Sequence, residues 1–113
     1  MRWSSAVPMF IALIGCAAGA QVPRTSTSCT GPQVTYVADV RPVLQKRCFA
    51  CHAGSGPAAE EHDFTRAETL RAQRHQLVDD VTAHAMPPQG RPPLAEAEAE
   101  TLLRWAACGA AER

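Results

Sequence analysis

The sequence has few aromatic residues and no excess of charge of either sign. Phenylalanine, tryptophan and tyrosine together make up 5% of the 113 residues, which is little for the core of a small domain. Eleven basic residues balance eleven acidic ones, so no basic stripe points to nucleic acid and there is no acidic tail. Repeats are also lacking. The chain is therefore predicted to form one small domain whose core needs an additional apolar body.

A long apolar run is absent as well. The run from Ala6 to Gly15, which follows Arg2, has the length of a signal peptide and is too short to cross a bilayer as a helix. We predict that residues 1–20 are a signal peptide, with two competing cleavage sites. The L-I-G-C that ends at Cys16 resembles a bacterial lipobox, whereas the A-G-A that ends at Ala20 fits ordinary signal peptidase.

Either cleavage exports the chain, so we expect a protein of the bacterial periplasm. A lipid on Cys16 would anchor it to the membrane, and we favour this lipoprotein interpretation. Residues 21–33 are rich in turn and coil formers and are predicted to be a flexible linker. The folded domain is then residues 34–113.

The cysteine count predicts one cross-link. The chain has five cysteines; Cys16 is lipidated or removed, and two others belong to the motif described below. Cys29 and Cys108 are left, and in an oxidising compartment such a pair is most simply a disulfide. It would close a loop of about 80 residues. Two free thiols are the alternative.

The segment from Cys48 to His52 reads C-F-A-C-H, which is the C-x-x-C-H pattern for covalent haem attachment. Cys48 and Cys51 can each form a thioether with the same porphyrin, and His52 can then bind the iron as the proximal ligand. The haem would supply the apolar body that the few aromatics do not. Zinc and thiol-redox sites also use C-x-x-C. Zinc would need a second ligand cluster, which the sequence lacks, and a thiol-redox site would leave His52 unexplained.

Met86 is the predicted distal ligand, because thioether sulfur is a common sixth ligand of haem iron. Two prolines follow it and restrict the backbone of the loop. The other methionines, Met1 and Met9, lie in the signal segment, which weakens the alternative that Met86 merely fills the core. His84 and His75 are rival sixth ligands.

Hydrophobic periodicity predicts an all-α fold of about four short helices. Asp39 is the expected N-cap of the first, with Pro42 in its first turn. Thr65 and Glu68 form a capping-box pattern, with Phe64 as a hydrophobic staple. A break between the second and third helices is left open. The helices are expected at about Asp39 to Cys51, Arg66 to Arg74, His75 to Ala83 and Ala95 to Ala107.

The pattern also predicts which side chains are buried. The thiols should share the apolar face of the first helix, leaving Lys46 and Arg47 toward solvent. His62 is expected at the surface. Trp105 should pack against the first helix or the haem edge, and Gly109 should follow the last helix as its C′ residue.

Three segments together resemble the small bacterial class I c-type cytochromes. They are Y-V-A-D-V-R-P-V-L-Q-K-R-C-F-A-C-H from Tyr36 to His52, M-P-P from Met86, and the run from Leu103 through Trp105 to Gly109 and Ala110. The resemblance covers roughly residues 34 to 111. It implies a fold in which the first and last helices cross at one edge of the haem, with His52 and Met86 as axial ligands. Ala95 departs from the family pattern, because a capping residue is expected there.

This resemblance implies a one-electron carrier and not an enzyme. A neutral surface predicts a small and transient contact with a redox partner protein. If Met86 is not bound, a five-coordinate or bis-His haem would instead suit a peroxidase-like enzyme or a ligand sensor.

Overall fold

The structure is a computed structural model that describes residues 28–113. The predicted signal peptide and most of the predicted linker, including Cys16, lie outside the described residues. Residues 28–34 belong to no helix and run along the surface.

Helices make up the fold of residues 28–113, and this part contains no strand, so the all-α prediction is confirmed for it. One isolated bridge pairs Thr35 with Ala111. In the same part of the chain no helix has both the length and the apolarity to cross a membrane. The elements are a π-helical turn at Tyr36–Val40, then α1 Arg41–Arg47, α2 Phe49–His52, α3 Ala67–Ala72, α4 Arg74–Thr82 and α5 Glu96–Ala107.

The first predicted helix is interrupted, and the prediction that Asp39 is its N-cap is wrong. Thr35 caps the segment instead, with Oγ1 accepting from the Ala38 N–H at 3.3 Å. The Asp39 carboxylate folds back and accepts from the Thr35 N–H at 2.8 Å, so each of the two side chains satisfies a backbone donor. Pro42 lies in the first turn of α1 as predicted. Cys48 leaves the helical region (φ −123°, ψ −34°) and separates α1 from α2.

The apolar face of the first segment is buried in part as expected: Val40 and Leu44 are fully enclosed, whereas the two thiols, Cys48 and Cys51, are only partly buried. Lys46 is 63% exposed, in agreement with its predicted place in solvent. Arg47 contradicts the same prediction: its side chain is only 16% exposed, because Glu98 of α5 draws it inward. Periodicity along one helix could not reveal an ion-pair partner on another.

A break separates α3 from α4 at Gln73 (φ −101°, ψ 13°), which ends one helix and begins the next. The predicted capping box at Thr65 and Glu68 does not form. Asp63 accepts from both the N–H and the hydroxyl of Thr65, at 3.0 and 2.6 Å, and this turn delays the start of α3 to Ala67. Arg66 at the N-cap makes no side-chain capping bond. Local side-chain bonds of this kind compete with the helical alternative.

The last helix begins and ends as the sequence predicted. Ala95 is the N-cap, and since alanine has no acceptor, only one half of a capping box forms: Glu98 accepts from the Ala95 N–H at 2.8 Å. Gly109 lies just past the helix with φ +99°, where glycine is favoured. The Ala110 N–H then bonds the Trp105 carbonyl at 2.9 Å, which is the long bond of a Schellman motif.

Trp105 is at the centre of the core. It is fully buried, its ring centroid lies 6.4 Å from that of Tyr36, and its indole N–H donates to the Ala111 carbonyl at 2.8 Å. Of the two predicted contacts, it therefore makes the one with the first helical segment. α5 packs against both α4 and the π-helical turn. The other fully or largely buried apolar residues are Val40, Leu44, Ala67, Leu70, Leu77, Val81, Leu102, Ala106 and Ala110.

The predicted disulfide is confirmed: Cys29 and Cys108 are bonded, with their Cα atoms 5.5 Å apart. Arg104 reinforces this junction by donating to the carbonyls of Thr30 and Pro32. The segment that precedes the first helix is thus fixed to the C-terminal end of α5.

Candidate functional site

A cavity of about 550 Å³ lies between residues 48–52, here called the thiol motif, α4 and the loop before α5. All four predicted haem contacts line it: Cys48, Cys51, His52 and Met86. Its volume falls in the range of small-molecule and cofactor sites, about 300–1,000 Å³. The further lining residues are mainly apolar and include Ala50, Pro57, Ala58, Phe64, Leu77, Val81, Pro87, Pro88, Leu94 and Leu102.

The chain after α2 folds back against the thiol motif. The Ala58 N–H donates to the Cys51 carbonyl at 2.9 Å, which satisfies an acceptor at the end of α2. Gly56 makes this approach possible, because a Cβ there would lie 2.5 Å from the Cys51 oxygen. This glycine therefore sets how closely the loop covers the motif.

Two contacts orient the imidazole of His52, and a third holds its backbone. Its Nδ1 lies 3.1 Å from the backbone oxygen of His62, to which it can donate as N–H. Its ring stacks on Phe64 with centroids 4.2 Å apart and planes within 1°. The Phe64 N–H also donates to the His52 carbonyl at 2.9 Å. With Nδ1 protonated and bonded, Nε2 is the nitrogen left to bind a metal.

Burial affects the ionisation of two motif residues. It is the main cause that raises the pKa of Cys48 to about 11, with smaller contributions from Cys51 and Glu98. It is also the main cause that lowers the pKa of His52, against the opposing effect of the bond to His62. The neutral imidazole, which is the form that binds metals, is favoured as a result.

Met86 lies on the loop after α4, where its backbone is held by Asp80. The carbonyl of Asp80 accepts from the N–H groups of Ala85 and Met86, at 2.8 and 3.2 Å. The Met86–Pro87 peptide is cis. The Met86 side chain is 41% exposed and borders the cavity, which is unlike a core-filling methionine.

The remaining histidines separate into two groups. His75 and His84 are exposed and do not line the cavity, so neither rival sixth ligand is placed at it. His62 was predicted at the surface, but it is half-buried and lines the cavity. Two contacts hold His62 in this position. Its Nδ1 lies 2.6 Å from Gln73 Oε1, and its backbone carbonyl can accept from Nδ1 of His52.

The donor set fits a haem better than a bare metal ion. Within residues 28–113 no group of three or more His, Cys, Asp and Glu side chains is arranged to hold a metal. Haem iron needs only axial ligands from the protein, since the porphyrin supplies four nitrogens, and His52 and Met86 are of the types that serve. Two cysteines beside the same apolar cavity suit attachment by thioethers.

Sequence reasoning missed several residues at the site. Phe64 was assigned to a helix staple, and nothing in the sequence links it to His52. Arg91, which is exposed, brings a guanidinium nitrogen to 3.9 Å from Cys51 Sγ. Arg47 also lines the cavity, and it is held there by Glu98 of α5, a bond that depends on how α1 and α5 meet.

Comparison of the chain with models of protein families, with curated proteins and with solved structures gave no match.

Proposed function

We propose that this chain is an exported, monohaem c-type cytochrome that transfers single electrons. Cys48 and Cys51 would hold the haem by thioethers, and His52 and Met86 would be its axial ligands. The observation that carries the proposal is the meeting of these four side chains at one largely apolar cavity. When bound, a haem c with both axial positions filled supplies one-electron exchange and offers no open position to a substrate.

The surroundings of His52 support its role as proximal ligand. The bond from Nδ1 to the His62 carbonyl fixes the tautomer in which Nε2 is free. The Phe64 ring restricts rotation of the imidazole. Preorganisation of this kind is what a ligand to a metal requires.

The position of Met86 supports methionine over a second histidine as distal ligand. Met86 borders the cavity, and His84 and His75 do not. A thioether ligand favours reduced iron and a higher reduction potential. The alternative is a five-coordinate or bis-His haem with a peroxidase-like or sensing activity. It would require that Met86 does not bind the iron.

Export, a periplasmic location and a lipid anchor at Cys16 belong to the same proposal. The disulfide between Cys29 and Cys108 is in keeping with an oxidising compartment. The partner would be a redox protein that makes a small, transient contact, since the chain has no net charge to steer a strong one.

The test is the absorption spectrum of the full chain, oxidised and reduced, after co-expression with a haem c maturation system. We expect covalent haem, sharp reduced bands and the weak far-red band of sulfur bound to ferric iron. Met86→Ala should lose the far-red band, whereas the control His84→Ala should keep it. If His84→Ala instead loses the native spectrum, the distal ligand is the histidine. Absence of covalent haem from the wild-type chain would refute the proposal.

A further inference from the structure

The phenylalanine that stacks on His52 belongs to a continuous set of contacts that starts in the core. Its carbonyl accepts from the hydroxyl of Tyr36 at 2.6 Å. Tyr36 is buried and packs against Trp105. Trp105 in turn is tied through its indole N–H to Ala111. The backbone of Phe64 is therefore bonded to a tyrosine that cannot move without disturbing the core.

Phe64 also contacts His52 in two different ways. The rings are parallel, with centroids 4.2 Å apart. The backbone N–H of Phe64 donates to the His52 carbonyl at 2.9 Å. This bond fixes the two backbones relative to each other and so limits how far the two rings can move apart. The bond from His52 Nδ1 to the His62 carbonyl defines one direction in the imidazole plane, and the stack prevents the plane from tilting about that direction.

We infer that Phe64 is a positioning residue that fixes the plane of the His52 imidazole, and that Tyr36 acts through Phe64 by holding its backbone. The inference rests on the proposed function, because it concerns the orientation of an axial ligand. The orientation of that plane determines how imidazole orbitals overlap with those of the iron. When haem is bound, a change in this orientation would therefore alter the magnetic anisotropy of the oxidised centre even though His52 remains a ligand.

The Tyr36 hydroxyl has a defined part in this arrangement. It donates to the carbonyl of Phe64, which lies on the loop that leads from α2 to α3. A tyrosine phenol is protonated at neutral pH and can donate, and burial raises the pKa of this one further. Removing the hydroxyl should leave the tyrosine ring against Trp105 while freeing the Phe64 backbone.

The experiment compares electron paramagnetic resonance g-values and haem-methyl proton shifts of the oxidised, haem-loaded full chain. Phe64→Leu keeps an apolar side chain and removes the stack, and it should shift both sets of values. Phe64→Tyr keeps the aromatic ring, so its g-values and methyl shifts should stay within the wild-type range. Tyr36→Phe should shift the methyl resonances in the same sense as Phe64→Leu, by a smaller amount.

Val78→Ala is the matched control for general loosening. Val78 is partly buried against the core on α4 and does not line the cavity. The Val78→Ala variant should have a lower melting temperature than wild type, with unchanged g-values and methyl shifts. The same lack of change in Phe64→Leu would overturn the inference, and so would an equal shift in Val78→Ala.

The two proposals fail in distinguishable ways. If the wild-type chain takes up no haem, the proposed function and the inference both fall. If haem is bound by His52 and Met86 in the wild type and in Phe64→Leu, with identical magnetic parameters, only the inference falls. If Phe64→Leu does not fold, Tyr36→Phe tests the inference in its place, because the removal of a single oxygen is a much smaller change. Wild-type parameters in that variant would overturn the role of Tyr36.

Discussion

Arg47 Nε lies 2.8 Å from Glu98 Oε2, so the residue directly before the first thiol is bonded to the first turn of the last helix. A second guanidinium nitrogen reaches the other carboxylate oxygen at 3.3 Å. Lys46 adds a third contact at 3.0 Å, and the Ala95 N–H a fourth. One carboxylate thus joins α1 to α5 and caps α5 at the same time.

This carboxylate predicts an acid-sensitive step in stability. The bonds from Arg47 first, then from Ala95 and Lys46, lower the pKa of Glu98 from its ordinary 4.5 to about 2. A group whose pKa is lower in the folded state stabilises it above the unfolded-state pKa, and this contribution is lost as the pH falls. Stability attributable to Glu98 should therefore be complete above about pH 4.5 and gone below about pH 2.

Urea unfolding of the full chain between pH 2 and 7 measures this contribution. Glu98→Gln should be less stable than wild type at pH 7, with the difference shrinking toward pH 2. Glu100→Gln, on the exposed side of the same helix, is the control and should follow the wild-type curve. An equal loss in both variants would contradict the assignment to Glu98.

Gly56 should be sensitive to the smallest substitution. A Cβ on this residue would meet the Cys51 carbonyl carbon and oxygen at 2.6 and 2.5 Å, which are backbone atoms that cannot swing away. Gly56→Ala should therefore destabilise the protein by about 1–3 kcal/mol or more, as overpacking does. Thermal unfolding is the measurement.

The control for Gly56 is Gly54, two residues earlier. Gly54 has φ +58°, and a Cβ there would meet nothing within 4 Å. Asparagine tolerates this conformation better than other residues. Gly54→Asn should cost clearly less than Gly56→Ala, and the opposite order would contradict the steric argument.

The disulfide should contribute strongly to stability. It joins residues that are 79 positions apart, and in the chain-entropy model a loop of that length is worth about 4.5 kcal/mol. The double variant Cys29→Ser and Cys108→Ser should show a loss of this order in urea unfolding. Wild-type protein treated with a thiol reductant should lose the same amount, whereas the reduced double variant should not change further. Full stability of the double variant would show that the cross-link acts little on the unfolded chain.

Leu44 should be among the most costly core truncations. It is fully buried on the first helical segment, and Leu→Ala at such sites costs about 2–5 kcal/mol. Val37, in the preceding turn, is 47% exposed, and Val37→Ala should change stability by less than about 0.5 kcal/mol. The shift of the urea midpoint at constant slope is the readout. Similar shifts for the two variants would mean that Leu44 is not at a close-packed position.

The predicted lipid anchor has a direct readout in cells. Cys16→Ser should move the protein from the membrane fraction to the soluble periplasmic fraction. Mass spectrometry of the wild-type N-terminus should find acyl groups on Cys16. A mature chain that begins after Ala20 would instead support the ordinary signal-peptidase site.

The sequence predicted features that depend on local pattern. Pro42, Gly109 and the last helix were found because helix ends have residue preferences that act over a few positions. The pairing of Cys29 with Cys108 followed from elimination among the cysteines. The cavity contacts of Cys48, Cys51, His52 and Met86 were indicated by motifs with defined chemistry.

The features that were missed are of two kinds, competing local bonds and contacts between separate segments. Thr35 caps the first segment in place of Asp39, and Asp63 displaces the expected capping box by bonding Thr65. Phe64 leaves its expected place as a staple because the loop after α2 brings it onto His52. The first two competing bonds are local, four and two residues apart, so several local arrangements were open to the same sequence pattern. Only the contact between Phe64 and His52 depends on how a loop folds back.

The joining of Cys29 to Cys108 has a mechanical consequence. A pull between the two ends of residues 28–113 would pass directly through the cross-link and bypass every helix between them. Arg47, the residue before Cys48, contacts α5 at Glu98, about 15 Å along the helix from Cys108 at 1.5 Å per residue. If an anchor lies N-terminal to Cys29, a pull on it would reach the domain at a junction that is covalently bonded to the residue after α5.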